Sequence, residues 1–357
     1  MRSRRFISVV AIALATLSAC GGGGGTVAAK HKRLPVTTTT TPGPPVAPLT
    51  GVPDPTGQSL TRPALSVKIE NAPESRPQTG LQNADVVYEQ IVEYGITRFM
   101  AVFNSSLPPV VGPIRSGRIM DPDLSAPLGG IFVYSGGIQA TEDAIKATPG
   151  VNVIVDTGSG SALFRDRTKA APHNLYGHTD QLVASGGKPV PPPPLFQYLP
   201  TGVPFAGDGV QAFTVKYDPT YGQPTYTWDP AIGAWRRSIG LQPFVTTDGG
   251  QVAPNNVIVQ FVGSYLPSPE DGSFNTVGSG DAWIFSAGKM AKGRWSRSAR
   301  TAPIQYTDAN GAPIRLMPGR TWVEFEPSYA VYGGVSVVPA PPPSTTAPTT
   351  TPTKKKT

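Results

Sequence analysis

Hydrophobic and polar positions divide the chain into stretches of different period. Near the start, Arg2, Arg4 and Arg5 precede an apolar run from Phe6 to Leu17 that ends in Ser18-Ala19-Cys20. A basic opening, a short apolar centre and small residues at its end mark an export signal. The run is shorter than the roughly 20 apolar residues a membrane helix needs. From Cys20 to Leu60 the periodicity vanishes: five glycines, a basic patch at Lys30, Lys32 and Arg33, then a stretch rich in Thr, Pro and Val. With so few bulky apolar side chains, residues 20–60 are predicted to form a disordered, extended spacer. Residues 339–357 repeat the Pro/Thr composition and are predicted to be a second disordered tail, ending in lysines.

Between the tails the pattern becomes regular. Leu65, Val67 and Ile69 alternate with Ser66, Lys68 and Glu70, the period of a half-buried strand. Val86–Val92 and Arg98–Phe103 are further β-type runs, with Glu93-Tyr94-Gly95 between them as a tight turn or bulge. Ile131–Tyr134 predicts a strand stopped by Gly136-Gly137, Gln139–Ala147 a short helix, and Val151–Val155 a strand after it. Beyond a Gly/Pro-rich connector at 186–194, short β-type runs dominate: Phe213–Tyr217, Thr225–Trp228, Ala234–Arg237, Val257–Phe261, Ala282–Phe285, Arg294–Arg297 and Thr321–Phe325. About 280 residues exceed what one core usually organises. The expected architecture is therefore of the α+β or α/β class: an α/β domain over residues 61–190, then a mainly β domain over residues 191–338. The five tryptophans, Trp228, Trp235, Trp283, Trp295 and Trp322, all fall in the second, where core positions are expected.

Cys20 changes the reading of the amino terminus. Leu17-Ser18-Ala19-Cys20 resembles the lipobox at which lipoprotein-processing enzymes acylate the cysteine and cut before it, and Cys20 is the only cysteine among 357 residues. The expectation is a signal peptide over residues 1–19 and a mature chain anchored through lipid on Cys20, at the extracytoplasmic face of the cell membrane. Two acyl chains on one residue suffice for a stable anchor. An acylated sole thiol leaves no disulfide, so stability has to come from packing.

The formal charge of +7 does not change the fold reading, because much of it lies in the signal and tails. Setting aside Arg2, Arg4, Arg5, Lys30, Lys32, Arg33, Lys354, Lys355, Lys356 and Asp54, residues 61–338 keep 21 basic and 22 acidic residues. A neutral body argues against a nucleic-acid role. The sequence has no CxxC, HExxH, Walker or GxSxG pattern, and the body holds only His173 and His178 as histidines. Neither a metal nor a cofactor is called for.

The candidate chemistry is a series of arginines in turn-like contexts. Arg98 lies in Gly95-Ile96-Thr97-Arg98-Phe99, Arg115 and Arg118 in Gly112-Pro113-Ile114-Arg115-Ser116-Gly117-Arg118, and Arg165 and Arg167 just before Pro172-His173-Asn174-Leu175-Tyr176. Planar guanidinium groups suit bidentate pairing with phosphate or carboxylate, so converging arginines with His173 and Asn174 would bind an anion. The alternative is a set of structural ion pairs with Glu89, Glu93, Asp121, Asp123 and Asp166. Glu89 and Glu93, four residues apart, would share one face of a strand and with His173 are the candidates for proton transfer.

The same motifs, with Arg76-Pro77-Gln78-Thr79-Gly80-Leu81, Ala84-Asp85-Val86-Val87-Tyr88-Glu89, Asn256-Val257-Ile258-Val259-Gln260 and Pro318-Gly319-Arg320-Thr321-Trp322-Val323, resemble the YerB family of bacterial lipoproteins. The resemblance spans about residues 62–327, with Gly117 standing where alanine is expected. It implies an envelope-facing lipoprotein of two domains and brings no activity with it. The functions left open are binding of an anionic, phosphate-bearing wall polymer, lipid-linked precursor or envelope protein; phosphoryl or glycosyl transfer on such a polymer; and a protein-binding scaffold displaying its tryptophans.

Overall fold

The computed structural model describes residues 44–156, 162–186, 190–217, 219–263, 274–327 and 334–342. Cys20 and the signal lie outside the described residues. In the first domain the elements are β1 (Leu65–Glu70), β2 (Val86–Ile91), β3 (Thr97–Phe103), β4 (Val110–Val111), α1 (Asp121–Ser125), β5 (Gly130–Tyr134), α2 (Gln139–Lys146), β6 (Val151–Val155), β7 (Leu163–Arg165), β8 (Leu175–His178) and α3 (Thr179–Ser185). The second contributes β9 (Asp208–Val215), β10 (Pro224–Asp229), β11 (Ala234–Ile239), β12 (Gln242–Pro243), β13 (Asn256–Val262), β14 (Gly278–Ser286), β15 (Lys289–Arg297), β16 (Gln305–Thr307), β17 (Thr321–Pro327) and β18 (Val335–Pro339).

One mixed sheet runs through both domains in the order β12-β11-β10-β9-β15-β14-β13-β17-β2-β3-β1-β5-β6, with β16 beside β15 and β18 beside β9. The seam is the parallel pairing of β17 with β2, which places Trp322 beside Val87 and Glu324 beside Glu89. A small sheet, β4-β8-β7, stands apart. Alternation sends Val87, Phe99, Val257 and Trp322 into one core and Val86, Met100, Ile258 and Val323 into another on the opposite face. Both faces of the sheet are therefore covered.

That double cover corrects one expectation. The polar positions of β1 do not face water: all six of its residues are buried, Lys68 and Glu70 included. The structure is mostly β, and the first domain is less helical than an α/β domain. Its helices have 5, 8 and 7 residues, too short to layer a sheet face at 1.5 Å per residue. The α/β component is one crossover, β5-α2-β6, joining parallel neighbours. The expected spacer also ends early, because residues 44–60 are structured. Leu49 is fully buried, Gly319 N–H donates to Thr50 O at 2.8 Å, and Asp54 accepts from Ser59 N–H at 2.8 Å and Thr56 Oγ1 at 2.6 Å. Two buried apolar side chains, Ala47 and Leu49, and one hydrogen-bonded carboxylate pin a segment whose average composition reads as solvated.

Candidate functional site

β1 and β5 run parallel but pair only from Leu65 to Val67 with Ile131 to Val133. Past that point the two strands part, and the segment 112–118 enters between their carboxyl ends. Glu70 N–H donates to Pro113 O at 3.0 Å, Arg115 N–H to Lys68 O at 2.9 Å, and Ser135 N–H to Arg115 O at 3.0 Å. Gly117 N–H reaches Gly136 O at 2.9 Å. A side chain at Gly117 would bring its Cβ to 2.6 Å from Ile145 Cδ1, so glycine lets the loop lie close on α2.

This loop delivers Arg115 and Arg118 to groups offered by the sheet. Arg115 Nε lies 3.0 Å from Glu70 Oε1, and His173 Nδ1 lies 2.8 Å from Glu70 Oε2. Glu93, in the turn after β2, pairs with Arg118 and, at 3.7 Å, with Arg98 of β3. Arg98 Nη1 also donates to Ser116 O at 3.2 Å. Beneath them Lys68 Nζ meets Asp121 Oδ1 at 2.7 Å, in a pair wholly out of solvent, and Asp121 Oδ2 accepts Arg118 N–H at 2.6 Å. Among the described residues this brings Lys68, Arg98, Arg115 and Arg118 together with Glu70, Glu93 and Asp121.

Burial and close neighbouring charges are felt inside the cluster. Burial pushes Arg98 down to about 10, and the neighbouring charges of Arg118 and Arg115 push the same way against Glu93. Burial likewise lowers Lys68 to about 8, opposed by Asp121 and reinforced by Arg118 and Arg98. For Glu93, burial raises the pKa, but the hydrogen bond from Arg118 and the charges of both arginines outweigh it and hold the carboxyl below its usual range.

The segment 172–176 extends the cluster. While His173 reaches Glu70, Asn174 Oδ1 accepts from Arg165 Nη1 at 2.9 Å, and Arg165 also pairs with Asp156. Arg167 is exposed and has no polar partner among the described residues. Arg98 and Arg118 thus share Glu93, and Arg115 and His173 share Glu70, whereas Arg165 and Asn174 bond each other and Arg167 stands apart.

Glu89 does not belong to this set, which corrects the expectation that it shares a face with Glu93. Strand alternation points Glu89 to the opposite side of β2, where Arg237 Nη2 bonds both its oxygens at 3.1 and 2.9 Å, Thr97 Oγ1 donates at 2.7 Å and Trp322 Nε1 at 3.2 Å. Past Ile91 the strand gives way to a 3-10 turn over Glu93–Gly95, so the i, i+4 relation of a strand no longer holds. Glu89 pairs across the domain seam. Arg237 lies over Phe244, 4.1 Å from the ring centroid, and Trp322 at 5.1 Å. Beside it Glu324 accepts from Tyr217 at 2.7 Å and Tyr226 at 2.5 Å. Burial first, then the charge of Glu89, pushes the Glu324 carboxyl well above its usual range. Arg237 and Glu324 escaped the sequence reading, although acidic residues alternating with apolar ones in Trp322-Val323-Glu324-Phe325-Glu326 are an available signal of buried carboxylates.

Trp235, Trp295 and Trp322 are buried. Trp228 packs on Trp235, and Trp283 on Phe261. The exposed tryptophan patch that a scaffold would display is not formed by these residues. Among the described residues, no three His, Cys, Asp or Glu side chains gather in a way that could hold a metal ion, and no helix is long and apolar enough to cross a membrane.

Comparison with known proteins agrees with this two-part build. Residues 49–189 match the family described as Protein of unknown function (DUF3048) N-terminal domain, and residues 213–323 match its C-terminal domain. YerB of Bacillus subtilis (strain 168), named as a lipoprotein, is 28% identical over 298 residues, covering 79% of this chain and 86% of that protein. The crystal structure of YerB from Bacillus subtilis superposes with a TM-score of 0.70 at 24% identity, over 82% of this chain and 99% of the other. The chain belongs to the YerB-like lipoprotein family, whose two domains are of unknown function.

Proposed function

We propose that the protein is an envelope lipoprotein, tethered through lipid on Cys20 at the extracytoplasmic face, whose first domain binds an anionic, phosphate-bearing ligand at the crevice between β1 and β5. The observation that carries this reading is the gathering of Arg98, Arg115, Arg118 and His173 around Glu93 and Glu70 where β1 and β5 part. The outer members stay within reach of solvent, with side-chain exposures of 23% for Arg115, 22% for His173 and 21% for Glu93. A ligand anion would meet guanidinium forks already oriented by Glu70 and Ser116. The carboxyl ends of parallel strands where a sheet opens are also where open α/β sheets place their ligands.

Proton-transfer chemistry finds less support. Glu89 is committed to Arg237 on the far side of the sheet, and Glu93 is held below its usual range by two arginines. A general base needs the opposite, a group poised near the working pH.

Titration of the full lipidated chain in nonionic detergent with pyrophosphate tests the reading. Arg115→Ala is expected to weaken binding by tenfold or more, and binding is expected to weaken as salt rises. Affinity unchanged by Arg115→Ala and Arg118→Ala would overturn it.

A further inference from the structure

With Glu89 and Glu93 both committed to arginines, His173 is the candidate for proton transfer that keeps an open atom. Its Nδ1 lies 2.8 Å from Glu70 Oε2, and the other oxygen of that carboxylate takes Arg115 Nε at 3.0 Å. A carboxylate paired with a guanidinium only accepts, so Nδ1 carries the hydrogen and, in the neutral ring, the lone pair sits on Nε2. Among the described residues Nε2 has no hydrogen-bond partner. Glu70 is 4% exposed and the histidine 22%, so the carboxylate holds the ring from behind and leaves Nε2 on the open side. The backbone beneath the ring is fixed as well. His173 N–H donates to Ala170 O at 2.9 Å, Asp166 N–H to Asn174 O at 2.8 Å, and Asn174 Oδ1 accepts from Arg165. A buried carboxylate that sets the tautomer of a half-open histidine is the arrangement by which general bases are oriented.

The same carboxylate places a cation beside that base. Arg115 engages Glu70 through Nε, and its two Nη groups have no polar partner among the described residues. Arg98, by contrast, is 11% exposed and engaged by Ser116 O and Glu93. Resting on the anion-site reading above, we propose that this site hydrolyses a phosphodiester, with Arg115 on a non-bridging oxygen and His173 Nε2 as the general base. An open guanidinium fork matches the single negative charge of a diester, where a monoester would bring about two. In the reaction the water oxygen bonds to phosphorus as one of its protons passes to Nε2. The bond from phosphorus to the leaving oxygen breaks, and that oxygen departs with the electron pair. The imidazolium, steadied by Glu70 through Nδ1–H, then gives its proton to the leaving oxygen or to solvent. The products are a phosphomonoester and an alcohol, and no oxidant or reductant takes part.

The test uses the full lipidated chain in nonionic detergent, with bis(p-nitrophenyl) phosphate and p-nitrophenyl phosphate as substrates and pyrophosphate as the binding probe. Nitrophenolate is expected to leave the diester faster than the buffer rate and faster than it leaves the monoester. His173→Gln, whose amide can still donate to Glu70, should lower kcat at least about 100-fold while the pyrophosphate Kd stays within about threefold. In His173→Ala, added imidazole should restore part of the lost rate. Glu70→Asp, which draws the positioning carboxylate back by one methylene, should lower kcat at least about tenfold with KM changed less. If pyrophosphate binds in an Arg115-dependent way but the diester is not hydrolysed, or hydrolysis persists in His173→Gln, the catalytic assignment falls and the anion site stands. It falls in the same way if His173→Gln loses binding together with turnover and imidazole restores nothing, because the histidine is then structural. Faster release from the monoester would overturn the diester assignment. If nothing binds and nothing is hydrolysed, or Arg115→Ala changes neither, both readings fall together.

Discussion

Removing Arg237 should expose how much the domain seam depends on one cation. Arg237 is fully buried, donates two hydrogen bonds to Glu89 and lies over the rings of Phe244 and Trp322. In Arg237→Met the rings keep a neighbour of similar length, but Glu89 becomes a buried carboxylate beside Glu324, its partner in register across β2 and β17. Breaking a buried pair on one side costs about 3–5 kcal/mol, because an uncompensated charge stays in the core. Glu89→Gln strands the guanidinium instead and should cost a similar amount. The double variant Glu89→Gln with Arg237→Met leaves no charge behind, so it should lose about 2 kcal/mol less than the sum of the single losses. Urea unfolding of the full chain at pH 7, followed by tryptophan fluorescence and by circular dichroism, measures all three. A single-variant loss below about 1 kcal/mol, or strict additivity in the double variant, would refute the reasoning.

Three further outcomes follow from the same contacts. Burial pushes Glu326 up to about 8, and its Oε2 has no partner among the described residues. Its folded pKa exceeds the unfolded one, so its contribution is complete below about pH 4.5 and is lost as pH rises through about 8, at up to ~1.4 kcal/mol per pH unit. Glu326→Gln should flatten that slope and unfold at higher urea than the parent at pH 8. Lys68→Met should destabilise by about 3–5 kcal/mol by stranding Asp121, and Asp121→Asn in the same chain should recover part of that loss in the same urea assay. Cys20→Ser should move the protein from the membrane to the soluble fraction on cell fractionation, and intact mass should show the acyl chains only in the parent.

Periodicity located the strands well because it reports a local rule: residues two apart share a face. Each β-type run of the second domain became a strand, and Gln139–Ala147 became a helix one residue shorter. Burial was less legible because it depends on what covers a face. Lys68 and Glu70 read as the wet side of β1, but the loop 112–118 and α1, some 50 residues away, close over them. Glu93 does not share a face with Glu89 because the strand period stops at Ile91, before the 3-10 turn that begins at Glu93. The arginines were legible as a group, since their turn contexts set them apart, and so were Glu93 and Asp121 among their partners, but Glu70 was not. Glu70 lies 28 residues from Arg98 in sequence and opposite it in register. Leu49 and Ala47, buried amid Thr and Pro, show how averaged composition conceals a few well-placed side chains.

The most direct test of the anion site is a crystal structure of the protein grown with saturating phosphate. The account predicts phosphate density between the carboxyl ends of β1 and β5, within hydrogen-bonding distance of Arg115 and His173. Phosphate bound elsewhere, with this crevice empty and Glu70 and Glu93 still holding every arginine, would contradict it.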